Sequence, residues 1–157
     1  MTDNHRALPV IGWREYVSLP DFGLRHIKAK IDSGARSSSL HAFDIEEFEQ
    51  ADGTGWVRFK VHPLHRQDHH VVELEAPLLD TRHVRSSSGH GDHRPVILTT
   101  LEMMGQRWPI ELTLADRSEM GFRMLVGREA MRGRFLIDPG RSFCCRKRRR
   151  KHKPGQA

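Results

Sequence analysis

Lys28-Ala-Lys-Ile-Asp-Ser-Gly-Ala-Arg-Ser-Ser-Ser-Leu40 is an alternating run that delivers an aspartate into a short, hydroxyl-rich loop. Ile27, Ala29 and Ile31 recur at a spacing of two, so one face of a strand is apolar and the strand ends at Asp32. Gly34 lets the chain turn sharply just beyond the carboxylate. A carboxylate placed where backbone pairing stops is aimed, not merely solvated. Taken alone, Asp32-Ser33-Gly34 equally suits an ordinary Asx turn between two strands.

A second stretch, Phe122-Arg-Met-Leu-Val-Gly-Arg-Glu-Ala-Met131, reads as an apolar strand ending in Gly127 and followed by a short helix-forming run. The two stretches, in this order and most of a domain apart, resemble a retropepsin-type aspartic peptidase protomer. Asp32-Ser33-Gly34-Ala35 matches the active-site loop, and Leu125-Val126-Gly127-Arg128 matches the motif that packs beside it. The longer flanks, among them Arg94-Pro-Val-Ile97 and Trp108-Pro-Ile-Glu-Leu-Thr-Leu-Ala-Asp-Arg117, resemble more closely a prokaryotic group usually labelled "ATP-dependent zinc protease". The resemblance runs from about Val10 to Phe143.

The resemblance implies an all-β, closed acid-protease barrel with one short helix after the Gly-Arg motif. It makes Asp32 the catalytic residue, Ser33, Gly34 and Ala35 its loop, and Gly127 and Arg128 the supporting motif. Metal-free peptide hydrolysis needs one group to take a proton from water and another to give one to the amide. Two carboxylates sharing a proton do both. The chain holds one copy of the motif, so the resemblance implies a homodimer in which each subunit contributes Asp32 across a two-fold axis. Retroviral relatives commonly place an acid after the alanine, where this chain has Arg36. Two arginines, Arg36 and Arg128, therefore stand near the loop, and arginine suits a carboxylate-rich peptide substrate. The prokaryotic relatives are often discussed beside glutamate-ligating systems, which points to a glutamate-rich peptide as substrate.

A chain of 157 residues suits one domain. With 37% hydrophobic residues, 8 prolines and 13 glycines, it carries short punctuated apolar runs, which favour strands over long helices. The expected division is a flexible N-terminus over residues 1–9, the peptidase domain over 10–143, and a disordered basic tail over 144–157. The net charge of +6 is concentrated in that tail, since residues 146–153 hold seven of the 26 Lys and Arg residues. Setting those seven aside leaves 19 basic against 20 acidic residues, so the body is not basic. The tail is expected to be solvated or to contact a polyanion. No apolar run is long enough to span a bilayer, the first residues lack a signal-like core, and the two cysteines are adjacent. A cytoplasmic protein with no membrane contact is the expectation.

Periodicity places strands over residues 11–19 and 24–31 as a hairpin, then 40–48, 56–61, 71–79, 95–103, 110–114, 124–126 and 135–137, with helical turns over 128–133. Residues 62–70 and 85–93 read as hydrophilic loops. A flap covering the cleft is expected between residues 61 and 95, with residues 86–91 at its tip. Ser88 and Gly89 in that tip join Arg36 as substrate-binding candidates.

Other chemistries find less support. The chain has eleven histidines but no HExxH pattern, and His62, His65 and His69 lie in a proline-containing loop. His41, close in sequence to the Asp32 loop, is the one histidine worth testing. No glycine-rich phosphate loop and no GxSxG elbow is present, so neither a cofactor nor a metal is expected. The alternatives are a zinc-dependent peptidase, as the group label has it, or a non-catalytic module of the same fold whose basic tail contacts RNA or a ribosomal partner.

Overall fold

The computed structural model describes residues 7–62, 70–85, 91–116 and 121–145. Its strands are β1 (Val10–Ile11), β2 (Arg14–Leu19), β3 (Leu24–Asp32), β4 (Ser38–His41), β5 (Phe43–Glu49), β6 (Gly55–Val61), β7 (Val72–Pro77), β8 (Asp80–Arg85), β9 (Gly91–Met103), β10 (Gln106–Ala115), β11 (Met124–Gly127) and β12 (Leu136–Ile137). The helix α1 (Arg128–Met131) follows the Gly-Arg motif directly.

The strands run β10-β4-β11-β3-β2-β9, and a further β9–β10 pairing joins the two ends into a closed six-stranded barrel, with β8 laid on the outside of β9. Closure leaves the barrel strands without a free edge. The period-two pattern explains what fills it: Ile27, Ala29 and Ile31 of β3 are buried together with Val17 and Leu19 of β2 and Ile110, Leu112 and Leu114 of β10. Between β9 and β10, Met104 and Gly105 both adopt positive φ, 56° and 73°, the conformation that a two-residue hairpin turn requires. A separate sheet, β5-β6-β7, inserts between β4 and β8 and packs on the barrel through Val57, Phe59 and Ala76. Among the described residues no helix is long and apolar enough to cross a membrane.

Four sequence expectations need correction. The strand expected over residues 11–19 is broken at Gly12 and Trp13, because Gly12 donates its N–H to the Glu15 carboxylate (2.6 Å) and leaves the ladder. The strand expected over 40–48 starts earlier, at Ser38, and divides at Ala42, with a register shift in β5 and Asp44 at φ 48°. The loop expected over 85–93 is cut back at both ends, since β8 and β9 pair from Asp80↔Val96 to Arg85↔Gly91, while residues 86–90 lie outside the described residues. Its polar, charged composition hid β8, whose pattern carries no apolar alternation. The sequence boundary at 143 falls short, because the Cys144 and Cys145 amides both donate to Glu15, at 2.9 and 2.8 Å.

Candidate active site

Asp32 is the last residue of β3, where β11 pairs with it in parallel and sets Gly127 directly alongside (Gly127↔Asp32). The carboxylate is half-buried, and its Oδ1 accepts the Gly34 N–H at 3.0 Å. That bond orients one oxygen, so the other can address a ligand. Ala35 donates its N–H to the Asp32 carbonyl at 3.2 Å, closing the turn. The loop is then stapled to the start of α1: the Arg128 and Glu129 amides donate to the carbonyls of Ala35 (2.8 Å) and Arg36 (3.1 Å). These are helix-terminal N–H groups that the helix itself cannot satisfy. The Arg128 guanidinium adds a bond to the Gly34 carbonyl at 3.3 Å.

Gly127 is required by contact rather than by its own backbone angles. A Cβ there would lie 2.6 Å from the Ser37 carbonyl carbon and oxygen and 2.9 Å from the Arg36 oxygen, closer than atoms approach without something moving. Its N–H donates to Ser38 Oγ at 3.0 Å, a buried bond that ties the two motifs together across 89 residues. The structure thus brings Asp32, Ser33, Gly34, Ala35, Arg36, Gly127 and Arg128 into one compact unit.

Arg36 is exposed and has no ion-pair partner among the described residues, while the neighbouring Glu129 pairs with Arg132 at 2.5 Å. Ser88 and Gly89 fall outside the described residues, as do His65, His69 and residues 146–157. The β8–β9 pair reaches the Asp32 loop through Arg82, which donates to Ser37 Oγ at 2.9 Å and pairs with Glu111. Sequence reasoning missed Arg82 and assigned Glu111 no role. An arginine in an otherwise unpatterned run gives no signal of a partner 45 residues away.

His41 does not join the site. Its N–H bonds to the Arg123 carbonyl, so it stands at the far end of β11 from Gly127, about 13 Å away at strand rise. Sequence proximity misled here because β4 runs away from the loop. Burial lowers the His41 pKa despite the carboxylate of Asp116 at 3.8 Å. Among the described residues no group of three metal-binding side chains converges.

The sequence matches the family described as RimB-like, retropepsin-like aspartic endopeptidase RimB, over residues 10–148. It is 49% identical over 133 residues to a probable alpha-L-glutamate ligase of Desulfotalea psychrophila, covering 85% of this chain and 28% of that protein. A protein of the same name from Parasynechococcus marenigrum is 51% identical over 130 residues, covering 83% of this chain and again 28% of the relative. The chain therefore spans little more than a quarter of these curated relatives. Among solved structures, Lpg0085 of Legionella pneumophila, a protein of unknown function, superposes with a TM-score of 0.71 at 27% identity, over 87% of this chain and 98% of that one.

Proposed function

The chain belongs to the RimB-like family of retropepsin-like aspartic endopeptidases, and from that premise we propose that it hydrolyses peptide bonds with water activated between two Asp32 carboxylates of a homodimer. The observation that carries the reading is the geometry of Asp32: a half-exposed carboxylate at a strand end, with one oxygen fixed by Gly34 and Gly127 packed alongside. One such carboxylate takes a proton from water but does not also protonate the leaving amine. A second copy across a two-fold axis supplies that partner, and two facing carboxylates share one proton and titrate as a unit. The β8–β9 hairpin serves as the flap, anchored to the loop through Arg82 and Ser37.

The substrate in this reading is an acidic, glutamate-rich peptide. Exposed Arg36 beside the loop supports it, since a guanidinium matches a carboxylate with two hydrogen bonds. So does the name of the longer relatives, whose remaining length belongs to proteins called glutamate ligases.

Asp32→Asn keeps the acceptor for Gly34 and the side-chain volume, so the fold is retained and hydrolysis of a glutamate-rich peptide falls to background. Retained turnover overturns the aspartic mechanism, and full activity in a sample whose solution mass is that of a monomer overturns the dimer. Arg36→Asp is expected to reduce kcat/KM on acidic peptides by about tenfold relative to neutral ones, on the order of 1.4 kcal/mol. An equal loss on both peptides means that Arg36 does not select acidic substrates.

A further inference from the structure

The outward face of β3 carries Lys28, Lys30 and Asp32 in alternation with Ile27, Ala29 and Ile31, which are buried. Lys30 therefore stands on the same face as the Asp32 carboxylate, two residues or about 6.8 Å away at strand rise. Strand pairing sets Leu125 of β11 beside Lys30 on one flank and Arg14 of β2 on the other. Leu125 is apolar and buried, so no charge answers Lys30 from that side.

Arg14 is a like charge. Its neighbours Glu15 and Val17 take the buried phase of β2, so Arg14 belongs to the outward face that Lys30 shares. Like charges directly opposite on paired strands are destabilising, because their Cβ atoms are only about 5 Å apart. Nothing among the described residues relieves this pair: neither has a carboxylate partner, and the buried Arg14 Nε has no acceptor. The Arg14 guanidinium is packed instead over the rings of Trp13 (4.7 Å) and Phe143 (4.8 Å). Lys28, one step further along β3, lies over the Phe122 ring at 5.2 Å. Lys30 has no such ring among the described residues and is exposed. Asp32 turns Oδ1 to the Gly34 amide, so its other oxygen and the Lys30 ammonium are both open to one ligand.

We propose that Lys30 is a specificity-determining residue, whose ammonium takes the side-chain carboxylate of a substrate residue flanking the scissile bond. Arg14, held by its rings, adds field rather than contact. Two like charges side by side are a cost to the free protein that an anion brought to them offsets. The offset of about 6.8 Å from Asp32 lies within the combined span of a glutamate and a lysine side chain. A lysine ammonium suits the task, being a point charge with three donors on a flexible stem. The assignment rests on the reading of Asp32 as the catalytic carboxylate. It is separate from Arg36, which follows Asp32 in the turn, whereas Lys30 precedes it in the strand.

Binding is read on the Asp32→Asn protein, which does not consume its ligand, by fluorescence anisotropy of labelled pentaglutamate and pentaglutamine. Lys30 is exposed, so its replacement leaves the barrel folded. Adding Lys30→Met, which removes the charge and keeps the stem, should weaken pentaglutamate binding about tenfold and flatten its salt dependence. Adding Lys30→Arg instead should keep most of the affinity. With Asp32 intact, Lys30→Met should lower the ratio of kcat/KM for a glutamate peptide to that for its glutamine counterpart by about tenfold. The proposal is overturned if the Asp32→Asn protein does not prefer pentaglutamate to pentaglutamine, if Lys30→Met leaves that preference intact, or if Lys30→Arg is as damaging as Lys30→Met. Absence of hydrolysis by the chain with Asp32 intact overturns the peptidase reading instead, and the binding measurement still decides Lys30.

Discussion

Two parts of this barrel are held in different ways. The Asp32 loop is fastened mainly by backbone: amides of Arg128 and Glu129 to carbonyls of Ala35 and Arg36, with a glycine where any side chain would collide. The segment over residues 141–145 adds a buried side chain to its backbone bonds, in which Trp13 donates to the Arg141 carbonyl and Phe143 to that of Arg14, both at 2.9 Å. Glu15, fully buried, accepts three amides, from Gly12, Cys144 and Cys145, at 2.6 to 2.9 Å. A carboxylate is acceptor-only, so three donors suit it, and charge-assisted bonds are the stronger kind. The same surroundings, burial first and then the Glu15 charge, push the Cys145 thiol well above its ordinary range. A backbone-built site tolerates surface change but no added atom at Gly127. A segment that leans on one buried carboxylate loses several bonds at once when that carboxylate goes.

Removing Glu15 is the largest perturbation expected. Glu15→Ala leaves three amides without their acceptor and should lower stability by about 4 kcal/mol, measured by urea unfolding, with Glu15→Gln losing roughly half as much. Because residues 141–145 pack against Trp13 and Arg14, not against the Asp32 loop, the folded fraction should keep its specific activity. Activity lost in proportion beyond the unfolded fraction would show that the two parts are coupled.

Gly127→Ala should have the reverse signature. The added Cβ must displace the backbone at Ser37 and Arg36, so a loss of about 2 kcal/mol is expected together with a much larger loss of turnover. If turnover falls no more than stability does, the packing at Gly127 does not position Asp32.

The smallest effect concerns His41, at the end of β4 away from both parts. Burial lowers its folded-state pKa below the ordinary 6.5, so the unfolded chain takes up the proton first as pH falls. Its stabilising contribution is complete above about pH 6.5 and is lost as pH drops from there through the folded value. His41→Asn should therefore flatten the difference in unfolding midpoint between about pH 7.5 and about pH 5. An unchanged difference would assign that pH dependence to other groups.

Much of the barrel was legible because its strands alternate cleanly: Ile27, Ala29 and Ile31 announce β3, and Met124 to Val126 announce β11. The Asp32 and Gly127 motifs were legible for the same reason, each being a strand end marked by a glycine nearby. What periodicity does not encode is a partner distant in sequence. Glu15 falls in the apolar phase of β2, where a lone acid looks like an interruption, and only the return of Cys144 and Cys145 gives it donors. Arg82 likewise acquires meaning only when β8 folds back over Ser37 and Glu111.

The sequence by itself determined most of the barrel strands, where the Asp32 carboxylate sits and which glycine must stand beside it, because those are local consequences of alternation, turn chemistry and side-chain size. The closed ring of strands, the distance of His41 from the loop and the anchoring of Cys144 and Cys145 on Glu15 were decided by tertiary structure alone. Each depends on which strand lies beside which, and pairing is fixed by the burial of the whole barrel at once, not by any one stretch of chain.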